Sequence, residues 1–144
     1  MGVLAAALAS LAVTGCGRTV AVQPLPIASE QTRAACAQLI DELPSSITAG
    51  RAWQVSPDPE STAAWGTPAV VLRCGEEGQL PEPTDQLLSI NDLTWLVTPL
   101  TDGELYSAVD RFPAVEVTVP ADYRPSAEVI AELTPAVAAG TTAS

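Results

Sequence analysis

Three cysteines constrain this chain more than any other residues, because each stands in a different context. Cys16 closes an apolar run, Cys36 lies in a helical pattern, and Cys74 ends a strand-like stretch. The run before Cys16 extends from Val3 to Val13 with Ser10 as its one polar residue. Its length, roughly 11 residues, suits the core of a secretory signal and falls well short of the ~18 needed to span a bilayer. Met1 and Gly2 supply no Lys or Arg, where a signal peptide should begin positively charged, which points to a start upstream of Met1.

The order Val13, Thr14, Gly15, Cys16 is similar to the bacterial lipobox, in which a diacylglycerol thioether forms on the cysteine and a peptidase cuts just before it. Residues 1–15 are then a lipoprotein signal peptide and Cys16 is the lipidated N-terminus; the plainer alternative is an apolar N-terminal helix whose cysteine happens to follow Gly15. The odd cysteine count agrees with the lipid reading, since an exported chain usually pairs its thiols and removing Cys16 leaves two. A Cys36–Cys74 bridge would staple helix to strand. A redox-active pair is the weaker reading, with no CxxC and no Lys or His nearby to lower a thiol pKa.

The charge inventory excludes several classes of function. Seventeen acidic residues face six basic ones, all Arg, and there is neither Lys nor His. The arginines at 18, 33, 51, 73, 111 and 124 are scattered, so no nucleic-acid partner is expected. So acidic a body should be repelled by an anionic membrane and be held there by lipid alone.

Along the chain, residues 16–29, with Pro24 and Pro26, read as an extended tether, although Val20 and Val22 would also suit an edge strand. Cys36, Leu39, Ile40 and Leu43 define one face of a helix that starts near Ser29 or Thr32 and stops at Pro44. Ala69–Leu72 reads as a buried central strand. The runs LLSI and LTWLVT flank Asn91 and Asp92 as a hairpin, and a further strand pair is expected around Asp110. Val115, Val117 and Val119 should face the core, with Glu116 and Thr118 toward water. Ser126 should cap a second helix with Val129, Ile130, Leu133 and Val137 on one face, kinked or ended early by Pro135. The expected fold is α+β: a mostly antiparallel sheet with an N-terminal and a C-terminal helix packed on one face, and one disulfide. A single domain should span residues 30–140, followed by a disordered tail at 141–144. The loops SPDPES and EEGQLPEPTD read as solvated connections.

Four stretches together resemble one family: the helix around Cys36 and Leu39 to Pro44, the run AAWGTPAVVLRCG, the later Trp95, and RFPAVEVTVP before Tyr123. They are similar to the actinobacterial envelope proteins called domain of unknown function 3515. The resemblance covers about residues 34–133, and its most specific part is Trp65, Gly66, Pro68, Leu72, Arg73, Cys74 and Gly75. It implies export or lipid anchoring, a disulfide-compatible cysteine pair and an α+β domain. It brings no catalytic residue.

Without histidine, Ser/His/Asp and Cys/His catalysis and His-ligated zinc are excluded; without lysine, so are Schiff bases and Ser/Lys dyads. Carboxylate chemistry survives in principle, but pairs such as Asp41 with Glu42 or Glu76 with Glu77 sit at a helix end and a turn, where solvated charge is ordinary. No D.D.DG loop supports a calcium site, and neither metal nor cofactor is expected. Trp65 and Arg73 are the candidate ligand-binding residues, since a ring and a guanidinium recognise sugar or peptide; filling the core is the competing role for Trp65, as it is for Trp95. The expected function is a lipid-anchored, non-enzymatic binding or assembly module on the outer face of the cytoplasmic membrane, with an envelope protein or glycan as partner. The alternative is a small glycosidase-like envelope hydrolase using paired carboxylates.

Overall fold

A computed structural model describes residues 17–144. The chain forms β1 (Thr19–Ala21), α1 (Glu30–Glu42), β2 (Ser46–Ile47), β3 (Gly50–Arg51), β4 (Gln54–Ser56), β5 (Thr62–Trp65), β6 (Val70–Gly75), β7 (Gln86–Ile90) and β8 (Leu93–Leu100). It continues through β9 (Gly103–Ala108), β10 (Arg111–Phe112), β11 (Ala114–Pro120), a 3-10 turn at Ala121–Tyr123, α2 (Ser126–Gly140) and β12 (Thr142–Ala143). Six strands make one antiparallel sheet in the order β5, β6, β11, β9, β8, β7. Both helices pack on one of its faces, so the fold is α+β as expected.

Helix α1 begins where expected. The Ser29 hydroxyl accepts from the Thr32 amide at 3.0 Å, meeting one of the free donors of the first turn. Cys36 and Leu39 are fully buried from that helix. Asn91 and Asp92 turn the β7–β8 hairpin with φ of 48° and 65°, the left-handed pair that matches strand twist. The core lies between helices and sheet: Leu72, Val115, Val117 and Trp95 from the strands meet Ile130, Leu133 and Val137 from α2. Trp95 and Tyr106 pack edge to face with ring centroids 6.5 Å apart.

Four expectations meet a different outcome, and for the 16–29 segment the edge-strand alternative holds at Val20. Val20 belongs to a strand, β1, which pairs in parallel with β4, and Val22 is buried; the 16–29 segment is extended but docked, with Leu25 over Gly75 and the Pro26 carbonyl taking the Glu76 amide. Its apolar side chains gain more from contact than an unattached tether would. Glu116 does not meet water: it is 6% exposed because β11 lies beside β6, which presents Arg73 directly opposite. Pro125, not Ser126, takes the cap position of α2, leaving the Ser126 hydroxyl for other partners. The helix continues through Pro135 to Gly140, because Pro135 sits on its exposed side, where water can serve the carbonyl that the missing N–H leaves unpaired. The tail, finally, pairs rather than frays, with β12 antiparallel to β10.

Candidate functional site

A cleft of about 530 Å³ opens where the last turn of α1 meets the β3–β4 connection, β4 and β5, within the range of small-ligand sites. Its walls are apolar: Ile40, Leu43 and Pro44 from the helix end, Trp53 and Val55 from the β3–β4 region, Ala63 and Trp65 from β5. Polar groups on its lining come from Thr19, Ser45, Gln54 and Thr62, and no Asp or Glu lines it. Trp53 stands between this cleft and a second cavity of about 260 Å³ that includes Arg18, Thr19 and Gly66. Its ring is held firmly. The backbone N–H donates to the Ala64 carbonyl at 2.8 Å and the indole N–H to the Gly66 carbonyl at 2.7 Å. Gly66, at φ 73°, is required there, since a Cβ would lie 2.2 Å from the Ala49 carbonyl oxygen.

Of the two residues singled out from the sequence, Trp65 is 1% exposed and donates its indole N–H to the Pro44 carbonyl at 2.9 Å. It forms a cleft wall and part of the core at once. Arg73 points the other way. It alternates with Leu72 and Cys74 along β6, so it lies on the sheet face away from the helices and pairs with Glu116 at 2.6 Å. The two do not share a pocket. Trp53, with less weight in the sequence than Trp65, is the ring the cleft exposes; the alternation of Trp53 and Val55 with Gln54 and Ser56 is the signal of a half-buried strand that could have found it.

Cys36 and Cys74 are bridged, with Cα atoms 5.7 Å apart, joining α1 to the core face of β6. Two residues on, the Glu76 carboxylate accepts from the Ala28 and Ser29 amides at 3.0 and 3.2 Å. A hydrogen bond from Thr32 is the largest influence holding Glu76 below its ordinary pKa; desolvation opposes it, and the two amides and the Ser29 hydroxyl add to the lowering. Cys16 lies outside the described residues.

The remaining polar clusters fix elements to one another. Ser126 joins the Tyr106 hydroxyl at 2.8 Å and donates to Glu104, pinning the first turn of α2 to β9; burial, and then the Glu104 charge, push the Tyr106 phenol up, while the Ser126 bond opposes them. Both Glu132 oxygens accept from the Thr48 amide, tying α2 to the β2–β3 hairpin. Arg111 caps the end of α2 through the Ala138 and Thr141 carbonyls. Among the described residues no group of three or more His, Cys, Asp or Glu is arranged to hold a metal, and no helix is long and apolar enough to cross a membrane.

A family model described as "Protein of unknown function (DUF3515)" matches residues 1–144. No curated protein and no solved structure matches the chain.

Proposed function

The chain belongs to the DUF3515 family of proteins of unknown function, and we propose that it is a lipid-anchored envelope protein serving as a non-enzymatic binding or assembly module on the outer face of the cytoplasmic membrane. The observation that carries the binding role is the acid-free cleft walled by Trp53 and Trp65. An indole face beside small polar groups takes up the apolar face of a sugar or a peptide side chain, and it offers nothing to protonate a leaving group. The anchor rests on Val13, Thr14, Gly15 and Cys16 and on the pairing of the other two cysteines. The hydrolase alternative gains no support from the groove of about 670 Å³ lined by Asp41 and Glu42, one of several grooves that contain acids. Asp41 and Glu42 are consecutive on α1, hence about 100° apart around the helix, and do not face each other across a scissile bond.

The test places a photo-reactive amino acid at Gln54, inside the cleft, in living cells. One dominant adduct, with an envelope protein or a glycan, is expected, and Trp53→Ala should abolish it. An adduct indifferent to Trp53→Ala, or glycan cleavage that disappears on neutralising Asp41 or Glu42, would overturn the binding role. Mass spectrometry of the native protein should read a diacylglyceryl group on an N-terminal Cys16.

A further inference from the structure

The six arginines divide into two sets. Arg33 lies 3.9 Å from Glu30, Arg73 pairs with Glu116, and Arg111 holds the end of α2. Arg18, Arg51 and Arg124 are exposed and make no side-chain hydrogen bond or ion pair among the described residues. These three are scattered in sequence, and each is tied to one turn, Gly66–Ala69, through its own side chain, its backbone or its chain neighbour. Arg18 lines the small cavity together with Gly66, Thr67 and Ala69. The Arg51 carbonyl accepts from the Gly66 amide at 3.3 Å. Arg124 follows Tyr123, whose hydroxyl donates to the Pro68 carbonyl at 2.7 Å. Trp53 lines the same cavity. Two acids stand near this group: Asp122, beside Tyr123, and Glu132, whose carboxylate is already engaged by the Thr48 amide of the hairpin that carries Arg51.

The chain also enters the folded body at this end. Arg18 and Thr19 line the cavity, and Thr19 is three residues from Cys16. Three residues reach at most ~11 Å, while the headgroup layer is about 5–8 Å deep and the screening length in physiological salt is about 8 Å. A lipid on Cys16 would therefore bring this end within electrostatic range of the phosphates.

We propose that the end of the molecule formed by Gly66–Ala69, with Arg18, Arg51, Arg124 and the Trp53 ring, rests on the phosphate headgroups of the anionic bilayer that holds the Cys16 lipid. The inference builds on the lipid-anchor reading. It replaces the expectation of a uniformly repelled acidic body with an oriented one: the unpaired positive charge faces the membrane and the acidic remainder faces away. Trp53 suits such a place, because its N–H is satisfied by Gly66 and its ring is half-exposed at the level where tryptophans collect.

The native lipoprotein is reconstituted into vesicles of phosphatidylcholine, alone or mixed with phosphatidylglycerol, carrying a headgroup nitroxide that quenches tryptophan fluorescence. Trp65 and Trp95 are 1% and 0% exposed, so quenching reports Trp53, and Trp53→Phe should remove it. Flotation with both vesicles is expected, with stronger quenching on the anionic ones. The triple variant Arg18→Gln, Arg51→Gln, Arg124→Gln should still float and keep its melting temperature, yet lose about half or more of the quenching on anionic vesicles. Flotation without quenching, or quenching equal on both vesicles and unchanged in the triple variant, overturns the orientation while leaving the anchor standing. Flotation with anionic vesicles only, by a chain lacking the lipid, overturns the anchor while supporting the arginine contact. No flotation with either overturns both.

Discussion

Glu76 ties two separate devices together, because it stands two residues beyond Cys74 and closes over the amides that precede α1. Its pKa is lower in the folded chain than in the unfolded one, so its contribution to stability is present above the ordinary carboxylate value and disappears as pH falls through the folded-state value. Glu76→Gln should therefore lower the melting temperature at neutral pH. The gap to the parent should narrow in scans carried well below the ordinary value of 4.5. A gap that persists unchanged in acid would mean that the side chain acts through packing, not charge. Glu116 was illegible at this scale. Within β11 it alternates with valines like any solvent-facing residue, and only the register against β6 brings Arg73 to it.

At the level of elements, what could be read depended on how local the cause was. The α1 face, the Asn91–Asp92 turn and the valine side of β11 follow from spacing inside one segment, and each stands where the spacing puts it. Strands of two or three residues carry too little pattern to announce themselves: β1, β10 and β12 exist because of what they pair with. The cleft walled by Trp53 and Trp65 is built from just such pieces, which is why Trp65 stands out in sequence while Trp53 holds the exposed position. The crossing of α1 and α2 was equally hidden. Gly140 lies so close to α1 that a Cβ would come 2.6 Å from Leu39 Cδ1 and 2.9 Å from its Cα. Gly140→Ala should cost about 1–3 kcal/mol by overpacking, measured by chemical denaturation, although alanine is the better helix former. A neutral or stabilised variant would mean that the helices can slide apart without loss.

For the molecule as a whole, the Cys36–Cys74 bridge closes a loop of 38 residues, worth roughly 4 kcal/mol in the chain-entropy model, a large share of the stability of one small domain. Cys36→Ser and Cys74→Ser should melt at similarly lowered temperatures, and the double variant should be no worse than either. Additive losses would show each sulfur acting through its own packing. If the chain is exported as proposed, the same bridge also sets the order of events in its life. Before export, in a reducing compartment, the thiols stay apart and the folded state lacks the term that secures it. The chain is then easier to keep extended for a channel that threads one residue at a time. Once across, oxidation makes folding hard to reverse, so the bond that fastens helix to sheet also prevents return.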